Sequence, residues 1–161
     1  MSEIDKINKQ LVSITLAKDA DFFEIKHFLK RHKQSSAKRN DRVYIVRYEK
    51  RLIGIAKLVP IVNTSSLRQY WLTGLYMEEI YRNLGLASQL LKFIYQDLST
   101  EDALFEILAF PYHHLEQFYH QNGYQPIEPE ELPKELQSRY LKAKEQQKNW
   151  LCMAQKPGQK N

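Results

Sequence analysis

The strongest constraint on this fold is a helical repeat caught between two strand-like runs. From residue 83 to residue 98 the apolar positions Leu84, Ala87, Leu91, Ile94 and Leu98 recur three or four apart, with Leu90 widening the stripe. Before it lies QYWLTGLYM, residues 69–77, aromatic-rich and carrying Gly74 in its interior. After it lies DALFEILAF, residues 102–110, almost wholly apolar and followed by Pro111. A strand, a helix and a strand in succession imply a parallel pair with the helix as crossover. A short strand apolar on both faces belongs in the middle of a sheet. A cleft is then expected at the C-terminal ends of that pair, where the two strands diverge. A glycine inside a strand marks a bulge or a close backbone approach.

The remaining segments extend this unit into an α+β domain with a mixed sheet. SITLAKDADFFEIKHFLKRH reads as a strand, a turn and a helix, with Phe22, Ile25 and Leu29 as the apolar stripe. VYIVRYE and LIGIAKLVPIV, separated by Lys50 and Arg51, read as a hairpin. HHLEQFYHQNGY is a second helix that stops at Asn122 and Gly123. Residues 129–148 form a polar surface helix with Leu132, Leu136 and Tyr140 inward, and NWLCMAQK is the last strand. A chain of 161 residues fits one domain, 1–161, with 1–11 and 155–161 expected to be disordered.

Composition excludes several classes of function. No apolar run approaches the roughly 20 residues of a membrane-spanning helix, and the N-terminus lacks the h-region and cleavage site of a signal peptide. The cytoplasm is the expected location. Cys152 is the only cysteine, so neither a zinc cluster nor a redox pair can be built, and a packed thiol is expected. The net charge of +5 leaves nucleic acid, an anionic cofactor or no specific partner open. The basic residues concentrate only in KRHKQSSAKRNDR, residues 30–42, which reads as a solvated loop or as a phosphate-binding patch.

Between the aromatic strand and the periodic helix lies Arg82-Asn83-Leu84-Gly85-Leu86-Ala87. A glycine at a helix entry lets backbone approach a ligand closely, and the first-turn amides point unpaired at whatever sits there. An anion is the natural occupant, and Arg82 adds a charge and a fork of donors. The P-loop and the GxGxxG fingerprint are both absent, which removes those nucleotide-binding readings.

LTGLYMEEIYRNLGLASQLLKFI resembles the cofactor motif of the GNAT superfamily of N-acetyltransferases, in which a strand, an R/Q-x-x-G-x-G/A loop and a helix hold coenzyme A. LEQFYHQNGYQPI is similar to the FYxxxGF segment of the same family, in the same order along the chain. The resemblance covers residues 14–127, most strongly 72–123. It implies a largely antiparallel mixed sheet with a splayed central parallel pair, flanked by helices. It also implies acetyl-coenzyme A as acyl donor, without a metal. The backbones of Leu75, Tyr76 and Met77 would follow the pantetheine, with the Met77 amide on the thioester carbonyl. Asn83, Leu84, Gly85, Leu86, Ala87 and Ser88, with Arg82, would hold the pyrophosphate. Tyr119 stands where the family often has the tyrosine that protonates the departing thiolate. Glu106, a carboxylate within an apolar strand, is the candidate general base, since burial would raise its pKa; exposure at the cleft mouth or pairing with a cation is the competing reading. Two departures stand out: Tyr112, close to where relatives often carry an asparagine that touches the cofactor, and Glu78-Glu79-Ile80, where a proline is common.

The expected activity is acetyl transfer to a primary amine by direct attack in a ternary complex. An inactive acyl-coenzyme A-binding module of the same fold and a basic nucleic-acid-binding domain are the alternatives. The acceptor, a small molecule or a protein amine, stays open, as does the choice between monomer and homodimer. His113 and His114 could touch substrate or simply start a helix. Tyr70, Trp71 and the acidic Glu128, Glu130 and Glu131 could receive a cationic amine or lie solvated.

Overall fold

The computed structural model describes residues 7–63, 65–101 and 103–156. Its elements in chain order are β1 (Val12–Leu16), α1 (Phe22–Arg31), β2 (Arg42–Tyr48), β3 (Arg51–Ile61), β4 (Arg68–Met77), α2 (Leu86–Ser99), β5 (Phe105–Ala109), α3 (Glu116–Gln121), β6 (Gln125–Pro126), α4 (Lys134–Glu145) and β7 (Met153–Gln155). The strands hydrogen-bond in the order β1-β2-β3-β4-β5-β7-β6. β1 with β2, β2 with β3, β5 with β7 and β6 with β7 run antiparallel, and β4 with β5 is parallel. This is the mixed α+β sheet that the strand-helix-strand core required.

The chain divides into two compact units, residues 1–59 with 73–100 and residues 60–72 with 101–161. In the first, alternation along β2 sends Val43 and Ile45 to one face and Tyr44 to the other. Ile25, Phe28 and Leu29 of α1 pack on Val43, Ile45, Leu52 and Ile55. Tyr44 meets Phe93 of α2 at 6.0 Å and donates to Asp97 at 2.7 Å, so α1 and α2 cover opposite faces of this strand. Each fully buried Leu, Ile or Phe stabilises the fold by roughly 1.5–3 kcal/mol.

In the second unit, Leu132, Leu136 and Tyr140 close over Ile61, Leu108, Phe110, Cys152 and Ala154, with Trp71 and Trp150 packed against them. The inward stripe expected for residues 129–148 is therefore present, although the helix proper begins at Lys134 after a single turn at Pro129–Glu131. Cys152 is a packed thiol, which burial with Glu131, Glu128 and Glu130 nearby pushes up to about 12.

Order extends further toward both ends than composition suggested. Lys9–Leu11 forms a short turn capped by the Asn8 side chain, and the Leu11 carbonyl accepts from the Glu49 amide at 2.8 Å. Gln155 pairs with Ile107 in the sheet and is buried. Polar composition argued for fraying, and ladder pairing overrides it; residues 1–6 and 157–161 lie outside the described set.

Candidate functional site

The site expected from sequence begins at the end of β4. The ladder with β5 runs from Arg68↔Phe105 to Leu72↔Ala109, and β4 continues through residues 73–77 beyond it. Gly74 has φ +66°, a left-handed conformation inside a strand, and a Cβ there would meet Lys57 Cε at 2.8 Å. Both readings of this glycine, irregular backbone and close approach, apply. Met77 is held from the β3 side: a Cβ on Gly54 would meet its Sδ at 2.5 Å, and the next amide, Glu78 N, donates to Ile53 O at 2.8 Å.

After a turn at Glu79–Tyr81 the chain enters α2 through two left-handed residues, Asn83 (φ 63°) and Gly85 (φ 78°). The helix starts at Leu86, not at Asn83 as the repeat suggested, because these residues form the turn itself. Accordingly Leu84 and Ala87 are only partly covered, and the buried stripe is Leu86, Leu90, Leu91, Ile94 and Leu98. Gln89 N to Gly85 O at 3.1 Å closes the first turn, so the amides of Leu86 and Ala87 precede the helix's own ladder. A Cβ built on Gly85 would meet nothing within 4 Å. The turn is open where an anion would approach, and α2 directs the positive end of its dipole there. Arg82 is less free than expected. Its Nε donates to Met77 O at 2.7 Å and its guanidinium lies 5.3 Å from the centre of the Tyr76 ring.

Two residues that were not singled out as site candidates bind this segment to its surroundings. Lys57 in the middle of β3 is 2% exposed. Its Nζ donates to Ser35 O and Oγ at 2.9 Å and to Ser36 O at 3.2 Å, while burial pulls its pKa down. Glu78, with a side chain 8% exposed, meets Arg51 at 3.1 Å, Arg31 at 3.4 Å and His32 Nε2 at 2.9 Å. Residues 31–36 of the basic segment are thus anchored at both ends rather than loose in solvent. The lysine within LIGIAKLVPIV and the glutamate in place of the family's proline were the available signals.

In the second unit Tyr119 of α3 is 7% exposed, edge-on to Phe118 at 5.4 Å and Tyr124 at 5.3 Å. Burial pushes its phenol up to about 12. Glu106 is half-buried rather than enclosed: Phe105 and Ile107 on either side turn inward, while Glu106 accepts from Gln69 Nε2 at 3.2 Å, its register partner on β4. His113 and His114 occupy a short turn before α3 in which His113 N donates to Asn149 O, and His114 stacks on the half-exposed Tyr112 at 6.1 Å. The acidic cluster caps itself: the Glu131 carboxylate accepts from Glu128 N at 2.8 Å and lies 3.7 Å from Lys156. Trp71 is covered by Arg139, 4.9 Å from its ring. No helix among the described residues is long and apolar enough to cross a membrane.

A mixed sheet whose parallel pair is joined through a glycine turn and a crossover helix is the fold that the sequence resemblance implied, and comparison with known proteins makes the assignment. The sequence model of the acetyltransferase (GNAT) domain matches residues 39–126, more than half of the chain, and the chain belongs to that family. No curated protein matches it by sequence. Among solved structures it is similar to N-acetylglutamate synthase from Neisseria gonorrhoeae complexed with coenzyme A and L-arginine, with 16% identity and a TM-score of 0.67 over 92% of this chain. It spans only 34% of that synthase. It is similar to Arabidopsis thaliana Naa50 in complex with the bisubstrate analogue CoA-Ac-MVNAL, with 13% identity and a TM-score of 0.65 over 90% of this chain and 98% of that one. A GNAT-family acetyltransferase from Streptococcus pneumoniae gives 13% identity and a TM-score of 0.65, covering 91% and 99%. At such identities these likenesses concern the fold.

Proposed function

We propose that this domain transfers the acetyl group of acetyl-coenzyme A to a primary amine by direct attack of the amine in a ternary complex. The observation that carries the reading is the turn at residues 82–88: left-handed at Asn83 and Gly85, open to solvent at Gly85, and opening a helix of 14 residues. The coenzyme A and bisubstrate ligands of the gonococcal synthase and of Naa50 support coenzyme A as the donor's carrier.

In this reading the amides of residues 86 and 87 and the positive end of α2 bind the pyrophosphate. Residues 75–77 offer backbone to the pantetheine, and an amide there, that of Met77, stabilises the carbonyl oxygen as it gains charge during attack, an effect worth about 3–4 kcal/mol in favourable cases. Arg82 shapes the turn through Met77 O and leaves the anion chiefly to backbone donors. Tyr119, kept protonated by burial at any working pH, is the proton donor to the departing thiolate. Glu106, held by Gln69, is the proton acceptor on β5.

Calorimetry with acetyl-coenzyme A, followed by thiol release across a panel of amines, tests the proposal. Gly85→Val should weaken coenzyme binding about a hundredfold, near 3 kcal/mol, and cost the fold only about 1–2 kcal/mol from its left-handed backbone. Tyr119→Phe should slow turnover about a hundredfold with coenzyme affinity retained. Unchanged turnover in Gly85→Val overturns the assignment; coenzyme binding without thiol release from any amine would mark a binding module instead.

A further inference from the structure

Residues 73–77 pose a mechanical problem. They extend past the ladder with β5, so they lack that neighbour's hydrogen bonds, yet the proposed function needs their backbone held to within a fraction of an ångström. The α1 side of this segment carries a chain of polar contacts that composition gives no reason to expect. Tyr76 Oη lies 3.1 Å from His32 Nδ1, and His32 Nε2 lies 2.9 Å from Glu78 Oε2. The His32 ring packs 4.5 Å from Phe28 and 4.8 Å from Tyr76, with its side chain 18% exposed. Glu78 is buried, and a buried carboxylate is costly unless paired. Arg51 and Arg31 take its remaining acceptor capacity, and Arg82 lies over the opposite end of the chain at the Tyr76 ring.

The carboxylate sets the direction of the bond at its end of the chain. A carboxylate only accepts, so His32 donates Nε2–H to Glu78, which leaves Nδ1 to hydrogen-bond with the Tyr76 hydroxyl. One imidazole therefore joins the C-terminus of α1, the side chain of Tyr76 and the residue that follows Met77. The ends of the bridge bracket Met77, whose amide the proposed function assigns to the carbonyl oxygen.

We propose that His32, gripped by Glu78, is a positioning residue for the transfer reaction: through the Tyr76 hydroxyl it braces the end of β4 that runs beyond its β5 partner. The inference rests on the proposed function for its catalytic consequence, and on the Tyr76–His32–Glu78 geometry for the brace itself.

The test uses His32→Ala, His32→Gln and Tyr76→Phe in the full chain, read in two ways. The first is hydrogen exchange over residues 75–77 in protein free of coenzyme, which needs no activity. His32→Ala and Tyr76→Phe should each speed exchange about tenfold, whereas His32→Gln, whose amide can accept from Tyr76 and donate to Glu78, should leave it near the native rate. The second is steady-state acetyl transfer with acetyl-coenzyme A. kcat should fall about tenfold or more in His32→Ala and Tyr76→Phe, since a small misplacement of reacting groups costs that much, with the amine KM nearly unchanged and with activity retained in His32→Gln. Tyr76→Phe keeps the packed ring, so it carries the test if His32→Ala does not fold. Native exchange rates in both His32→Ala and Tyr76→Phe overturn the brace, whatever the enzyme does. Loss of turnover in His32→Gln with native exchange overturns it in favour of proton transfer by His32. A native protein that turns over no amine defeats the proposed function, and the exchange experiment still decides the brace.

Discussion

The two units of this chain solve the same problem, placing polar chemistry on a small sheet, by opposite means. In the first, charged groups are held by partners: buried Lys57 on the carbonyls of Ser35 and Ser36, buried Glu78 on Arg51, Arg31 and His32, and part-buried Asp97 on Arg42 and Tyr44. In the second, aromatic rings do the holding. Phe110 lies 5.6 Å from Trp150, 5.5 Å from Tyr140 and 6.0 Å from Trp71, and Tyr119, Tyr124 and Cys152 there are buried and pushed up by desolvation. The difference follows from what each unit has to hold. A strand end that runs past its β5 partner needs directional bonds to fix its geometry, whereas a buried phenol needs only an apolar wall to keep its proton.

The contrast is broken most directly through the largest ring contact. Phe110→Ala should destabilise the fold by about 3–5 kcal/mol, read from the urea midpoint; a loss below about 1 kcal/mol would mean that the rings of the second unit are not its main support. The buried cation of the first unit comes next. Lys57→Met keeps much of the stem over Gly74 but strands the Ser35 and Ser36 acceptors, for an expected cost of about 1–3 kcal/mol. If the variant is as stable as the native protein, the buried ammonium contributes no net stability and the first unit resembles the second.

The smallest expected effect is alkaline. Cys152 and Tyr119 have ordinary values of 9.0 and 10.0 and are pushed up to about 12 in the fold. The unfolded chain therefore releases these protons first, so the stability they contribute is complete below pH 9 and is lost as pH rises toward about 12. Urea midpoints measured from pH 8 to 11 should decline only above pH 9, and less steeply in a Cys152→Ala, Tyr119→Phe double variant. A decline that survives both substitutions belongs to Tyr44 or Tyr124, whose phenols are also raised by burial, and only the share removed by Tyr44→Phe would move alkaline sensitivity into the first unit.

Much of the fold was legible because periodicity reports burial directly. The α2 stripe from Leu90 to Leu98, the strand β5 and the inward Leu132, Leu136 and Tyr140 each occupy the place their spacing predicted. Boundaries were less legible: residues 83–85 share the apolar repeat but form the turn, since apolar spacing does not report backbone handedness. At the candidate site, Gly74 and Gly85 could be read from their type, because a glycine in a strand or at a helix entry has few uses. At Glu106 both readings stayed open, because an apolar sequence neighbourhood does not say which face of a strand a side chain takes, and Gln69 supplies a polar neighbour from another strand.

The sequence by itself determined the class of sheet, the crossover helix and the glycine turn, since these follow from local patterns of period and residue type. Only the tertiary structure decided that Glu78, His32 and Tyr76 form one bridge and that Lys57 reaches Ser35 and Ser36. Their partners lie 21 to 46 residues apart along the chain. No local pattern encodes such a meeting: the cost of burying a charge is known from its type, but the groups that offset it come from whatever the fold brings alongside.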